Sequence, residues 1–169
     1  MSSNAVKTAA LWGAAAGALV SLLVVHLTKQ PQRNRPSLEP RPSLAPVTAS
    51  GAAPAGGHYS QAMKNGSELF ISGLLPITSD GVKLTGSPIE DQVKAVLNNM
   101  GAILKASGSS PNKIISVRVY LADFNHENWA AFNKIYNEFV GDHKPARAVV
   151  PVPTLHHGFL VEVEAIAAL

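Results

Sequence analysis

The chemistry-bearing side chains concentrate near the C-terminal end, where Pro145-Ala-Arg147 is followed by Val161-Glu-Val-Glu-Ala-Ile-Ala167. Two-residue alternation puts Leu160, Glu162, Glu164 and Ile166 on one side of a strand and Val161, Val163 and Ala165 on the other. The Val/Val/Ala side suits a helical layer, so both carboxylates project from the opposite face. A carboxylate in a partly desolvated cleft holds its proton more tightly and can accept and return one in catalysis. A guanidinium supplies a planar, permanently charged fork for a carboxylate. If Arg147 shares the glutamate face from a neighbouring strand, two readings stand side by side. One is a surface cross-strand ion pair contributing a few tenths to about 1 kcal/mol; the other is the two ends of a small-molecule site. The chain has no cysteine, which excludes disulfides, thiolate metal sites and a cysteine nucleophile. His156 and His157 have no further ligand-type partners at metal spacing, so no metal is expected.

The elements that must position these groups are legible. Residues 59–64 and 68–75 are strand-like and meet at Asn65-Gly66, a hairpin signal. Ser87 suits a helix N-cap, Pro88 the first helical position and Glu90 the acid of a capping box. Ile89, Val93, Val96, Leu97, Met100, Ile103 and Leu104 then form one helical face, which Gly108 ends. Ile115, Val117, Val119 and Leu121 alternate as a strand with one buried side. Asn125 can cap a second helix with Trp129, Phe132, Tyr136 and Phe139 on one core-facing stripe. Residues 146–152 and 159–167 are the last two strands. The order β-β-α-β-α-β-β predicts an α/β (α+β) fold with two helices on one face of a mixed sheet. The other face must be buried by something else.

Residues 1–29 and 30–56 read differently from residues 57–169. Residues 8–28 carry no formal charge, and a helix of about twenty such residues spans a bilayer core of roughly 30 Å. The segment is expected to be a membrane anchor, a mitochondrial targeting segment, or both; residues 1–38 hold no acid. The basic residues after the span place the domain on the cytosolic or matrix side. Residues 30–56, rich in Pro, Ser and Ala, are expected to form an extended tether. Of the 14 Lys/Arg and 11 Asp/Glu, five and one precede Gly57, leaving nine and ten in the domain. The basic excess therefore belongs to the tail, and nucleic-acid binding by the near-neutral domain is not expected.

Taken in order, several segments resemble the Rid (YjgF-type) family. They are Ile71-Ser72-Gly73-Leu-Leu-Pro76, Gln92 with Asn98, Val117-Arg-Val-Tyr-Leu-Ala-Asp123, Phe132-Asn133-Lys-Ile-Tyr136, Pro145-Ala-Arg147 and Val161-Glu-Val-Glu-Ala-Ile-Ala167. The resemblance implies a chorismate-mutase-like fold and a homotrimer whose sheets pack into a central barrel, with sites in clefts between subunits. It implies hydrolysis of reactive 2-imino or enamino acids to 2-oxo acids and ammonia, without a cofactor; the alternatives are a non-catalytic trimeric small-molecule-binding or chaperone-like protein, an endoribonuclease, or a tailoring enzyme of a specialised metabolic pathway. By the same resemblance Arg147 binds the substrate carboxylate and Glu162 positions or activates the attacking water. Tyr59, Ser72, Gly73, Asn133 and Val149 line the substrate. Three positions depart from the family pattern: Val149 where cysteine is common, Leu74 where glutamine is common, and His156-His157 in place of a Pro-Lys-type turn.

Overall fold

A computed structural model describes residues 43–169. The apolar segment 8–28, expected as an anchor or targeting helix, lies outside the described residues, as do residues 30–42 of the expected tether. Among the described residues no helix is long and apolar enough to cross a membrane. The last part of the expected tether is built into the fold. Leu44–Val47 form strand β1, antiparallel to β2 (Ala62–Asn65), and Val47, Ala49 and Ala52 are buried. A Pro- and Ala-rich composition reads as a tether, but edge pairing to β2 together with small buried side chains overrides it.

Strand β2 turns into β3 (Glu68–Leu74) with Asn65 opposite Glu68, so the hairpin loop is Gly66-Ser67, one residue beyond the expected Asn65-Gly66. Gly66 takes the positive φ of 61° that a tight hairpin needs at its first central position. The remaining elements are α1 (Ile89–Ser107), β4 (Ile114–Ala122), α2 (His126–Val140), β5 (Ala146–Val152) and β6 (Val161–Ala168). They build one six-stranded sheet in the order β1-β2-β3-β6-β4-β5. All neighbours are antiparallel except β4 and β5, which α2 connects as a crossover.

Helix α1 buries the predicted stripe against β3 and β6. Its N-terminus differs from expectation. Pro88 is the capping residue, and no side chain caps the helix; the expected Ser87–Glu90 capping box does not form. Glu90 and Asp91 still place negative charge on the first turn, where the helix dipole favours it. The C-terminus is the predicted Gly108, with φ 80°, and Ser109 N–H donates to Leu104 O at 2.9 Å in a Schellman closure. In α2 the Asn125 side chain accepts from the Asn128 N–H at 2.8 Å, the expected cap. Phe132 and Tyr136 of its aromatic stripe are buried, whereas Trp129 is 39% exposed. Strand β4 carries Val117, Val119 and Leu121 inward, but Ile115 sits at a bulge opposite β6 and is exposed.

Both helices cover the sheet face that carries Leu69, Ile71, Val117, Val119, Val161, Val163 and Ala165. The opposite face stays uncovered within the chain. It presents Phe70, 40% exposed, with Arg118, Glu164 and Ile166 around a shallow hollow.

Candidate active site

Glu162 reaches its position through a defect in strand pairing. Between the Ile71–Ala165 and Leu74–Val163 pairs, β3 advances three residues while β6 advances two. Ser72 and Gly73 therefore oppose the single residue Glu164 in a β-bulge. The extra residue lets both Ile71 and Leu74 point into the core, and it re-aims the chain between them. The Glu162 carboxylate settles on the space this leaves. A Cβ on Gly73 would overlap Glu162 Oε1, closer than real Cβ contacts come. Ser72 pins the bulge by donating from Oγ to Ser60 O at 2.7 Å and from its N–H to Gln61 O at 3.1 Å.

A cleft of about 300 Å³ opens over this bulge, lined by Tyr59, Gln61, Ser72, Gly73, His156 and His157 among others. Its far wall is the chain from Ala53 to Tyr59, and buried amides hold that wall. The Gln61 side chain accepts from Ala49 N–H at 2.6 Å and donates to Ala53 O at 2.6 Å. Asn99 of α1 accepts from Ala53 N–H at 3.0 Å and donates to Ile77 O at 2.8 Å. Gln92 accepts from Leu160 N–H at 2.9 Å, fixing the start of β6 just before Glu162. The Tyr59 hydroxyl accepts from Gly56 N–H at 3.1 Å, and the ring stays half exposed at the mouth.

Burial pushes the Glu162 carboxyl above the ordinary glutamate value; the positive charge of His156 opposes that rise and the negative charge of Glu164 adds to it. Glu164 itself is engaged by Arg118, its register partner on β4. The cross-strand Arg–Glu pair anticipated between Arg147 and a glutamate is thus made by a different arginine.

Arg147 lies elsewhere. The expectation that Arg147 and Glu162 meet from adjacent strands is overturned, because β4 lies between β5 and β6. Arg147 is level with Val117, which faces the helices, whereas Glu162 is level with Tyr120 on the open face. Two strand spacings and three residues along β4 put their Cα atoms about 14 Å apart, on opposite-facing positions. The Arg147 guanidinium instead lies over the ring of Tyr136, 5.1 Å from its centroid. Tyr136 stacks in turn on Phe132 at 5.5 Å. Burial raises the Tyr136 pKa and the Arg147 charge opposes that rise. Asn133 is on α2 three residues before Tyr136, its amide donating to Trp129 O at 2.9 Å. Val149 shares the Arg147 side of β5 and packs on the core edge.

The sequence-derived residues therefore fall into two groups. Tyr59, Ser72 and Gly73 line one cleft, with the Glu162 carboxylate against Gly73, while Asn133, Arg147 and Val149 belong to α2 and β5. Gln61, Asn99, Tyr136 and His156 belong to these surroundings without having been singled out from sequence for these roles. Only the His-His departure at 156–157 carried a signal, and it pointed to a turn. Among the described residues no cluster of three or more His, Asp or Glu could hold a metal ion.

The family model described as Endoribonuclease L-PSP matches residues 50–169. The chain belongs to the Rid (YjgF-type) family. Protein HMF1 of Saccharomyces cerevisiae is 41% identical over 126 residues, covering 75% of this chain and 95% of that protein. Reactive Intermediate Deaminase A, chloroplastic, of Arabidopsis thaliana is 36% identical over 124 residues, covering 73% and 65% respectively. The crystal structure of yeast Mmf1 superposes with a TM-score of 0.69 at 39% identity, covering 75% of this chain and 98% of that one. The protein named MMF1, mitochondrial, from S. cerevisiae is 40% identical over 125 residues, covering 74% of this chain and 84% of that protein. Membership accounts for the ordered segments and for the fold, and it supports a deaminase-type hydrolase at the level of the family.

Proposed function

We propose that this Rid-family protein hydrolyses reactive 2-imino and enamino acids to 2-oxo acids and ammonia, in sites completed between copies of the chain. The observation that carries the reading is the Glu162 carboxylate lodged in the Gly73 bulge of an open cleft, with its proton affinity raised by burial. A carboxyl group that holds its proton more tightly is suited to take a proton from water and return it. As water adds to the imine carbon, Glu162 accepts the water proton. That proton passes to the imine nitrogen to give the neutral carbinolamine; Glu162 then takes the hydroxyl proton and hands it to the amine, so that the C–N bond breaks, ammonia leaves, the carbonyl forms and the carboxylate is regenerated. The Ser72-Gly73 bulge and Tyr59 offer polar contacts around a small reactant, and positioning is most of what such a labile imine needs.

The carboxylate anchor is Arg147, held on the face of Tyr136. Since Arg147 and Glu162 point apart within one chain, the α2–β5 edge of one subunit must serve the cleft of the next. A homotrimer with sheets packed around a central axis satisfies this and covers the uncovered sheet face with Phe70 and Ile166. The relative named Reactive Intermediate Deaminase A supports the activity. The name carried by MMF1, mitochondrial, together with the acid-free residues 1–38, supports a mitochondrial address. Residues 8–28 are proposed as anchor or targeting segment, which carbonate extraction and N-terminal sequencing of the mature chain distinguish.

The test supplies a threonine dehydratase with its amino acid and follows imine decay and 2-oxo acid release. The wild-type protein accelerates release, and Arg147→Ala abolishes the acceleration while light scattering still reports the assembly. Undiminished activity in Arg147→Ala refutes the anchor. The matching model's name favours a second reading, RNA cleavage; cleavage that is salt-sensitive and survives Arg147→Ala would support it over the first.

A further inference from the structure

Arg147 carries the anchoring charge of the proposed reaction, yet no acid fixes its direction. Among the described residues the ion pairs are Lys94–Asp91 and Arg118–Glu164. Arg147 instead lies over an aromatic ring, its guanidinium carbon 5.1 Å from the Tyr136 centroid. That ring is itself held in place. Tyr136 is 3% exposed and stacks on the buried Phe132, one turn earlier in α2, with centroids 5.5 Å apart and planes at 19°. The turn from α2 into β5 is pinned as well, by a hydrogen bond of 2.6 Å between the His143 ring and Ile114 O. Ring and arginine thus approach each other from two anchored elements.

We infer that Tyr136 is a positioning residue for Arg147: its ring, 5.1 Å from the guanidinium carbon, aims the charge and leaves the N–H donors free for a substrate carboxylate. A ring face attracts a cation through its quadrupole. It has no carboxylate oxygen with which to occupy the guanidinium donors. Arg118 shows the alternative arrangement. It donates to Glu164, and a guanidinium so engaged must break that pair before it can hold a ligand. The ring alone performs the positioning. The Tyr136 hydroxyl is buried and, among the described residues, has no hydrogen-bond partner. A buried hydroxyl without a partner costs stability rather than adding to it, so phenylalanine should serve as well. The inference rests on the anchor assigned to Arg147 and concerns what keeps that anchor on aim.

The test uses the full chain and 2-oxobutanoate, a stable 2-oxo acid, as the probe. Calorimetry gives its affinity, and 2-oxo acid release gives KM and kcat. Tyr136→Leu should weaken 2-oxobutanoate binding and raise KM by about 2- to 10-fold, the range of one cation–π contact. The kcat value should change little, because the anchor holds ground and transition states alike. Tyr136→Phe should retain the wild-type affinity and KM. A ring that only filled the core would lower the folded fraction and leave KM unchanged. Equal 2-oxobutanoate affinities for wild type, Tyr136→Phe and Tyr136→Leu overturn the inference. A second measurement needs no variant of Tyr136. The Arg147 side-chain protons, assigned by their loss in Arg147→Lys, should resonate upfield of those of Arg118 through the Tyr136 ring current. Unshifted protons overturn the inference even where Tyr136→Leu fails to fold. Binding of 2-oxobutanoate that Arg147→Ala leaves unchanged instead overturns the anchor itself, and the ring-current shift tells the two failures apart.

Discussion

Replacing Gly73 with alanine separates the site from the fold more cleanly than removing a functional group does. Gly73 is outside the left-handed region, so its backbone accepts an alanine, and the added methyl meets the free end of one flexible side chain, Glu162. The carboxylate can swing away, so strand pairing need not shift. A Gly→Ala change at a compatible position stabilises by about 0.4–1 kcal/mol through the unfolded chain. Any cost of rearranging Glu162 is set against that, and the melting temperature should remain within a few degrees of wild type. Activity should not survive. To reach ordinary van der Waals separation the carboxylate must retreat by about 1 Å or more, and a displacement of that order costs about 100-fold in rate. The prediction is kcat/KM reduced about 100-fold or more in 2-oxo acid release, with unchanged secondary structure and assembly. An active Gly73→Ala alongside an inactive Glu162→Gln would refute the geometry, because the working carboxylate would then lie somewhere other than over Gly73. A Gly73→Ala that unfolds would refute the claim that the bulge yields only at the side chain.

Three further outcomes follow from the same packing. Glu162 binds its proton more tightly in the folded chain than in the unfolded one, since burial raises its pKa. Its contribution to stability is therefore present below the ordinary glutamate pKa and lost as pH rises through the raised native value. Glu162→Gln should match wild type at low pH and equal or exceed its stability near pH 7; urea titrations at both pH values check this, and a variant less stable only at neutral pH contradicts it. Gln61→Ala leaves backbone groups of Ala49 and Ala53 without their buried partner. It should cost about 2–4 kcal/mol and raise KM by loosening the wall that carries Tyr59; denaturant midpoints and steady-state kinetics measure the two effects. A chain beginning at residue 43 should fold as stably as the full domain. One beginning at Gly57 loses β1 and should unfold at lower denaturant and aggregate through the bared β2 edge; equal midpoints would show that β1 is dispensable.

The parts of the fold written in periodic signal were legible. The stripe from Ile89 to Leu104 is buried where helical spacing placed it, and Gly108 and Asn125 close and open their helices as their chemistry requires. Alternation in β6 separated the core side from the glutamate side correctly. Signals that depend on pairing partners were not legible. Strand β1 is Leu-Ala-Pro-Val in a proline-rich stretch, and only the facing edge of β2 makes it a strand. The bulge at Ser72-Gly73 leaves no periodic mark, because the run of residues reads as an unbroken strand until its partner is known. Pro88, rather than Ser87, occupies the cap because the chain is still extended there, at ψ 151°; composition does not report that torsion.

The misplacement of Arg147 has the same origin and the largest consequence. Residues 147 and 162 are close in sequence and both sit on strands, which makes adjacency the economical guess. The parallel β4–β5 crossover sends β5 to the far edge instead and leaves β4 between them. A guanidinium on the helix side of an edge strand cannot serve a carboxylate on the opposite sheet face of the same protomer. A substrate spanning from Arg147 to Glu162 thus requires that the edge of one copy face the bulge of another. Coupling of catalysis to assembly is then a matter of topology: mixing Arg147→Ala with Glu162→Gln subunits should restore a fraction of sites in which both residues are wild type. Recovered 2-oxo acid release in the mixture, from two inactive parents, is the outcome that a site contained within one chain could not produce.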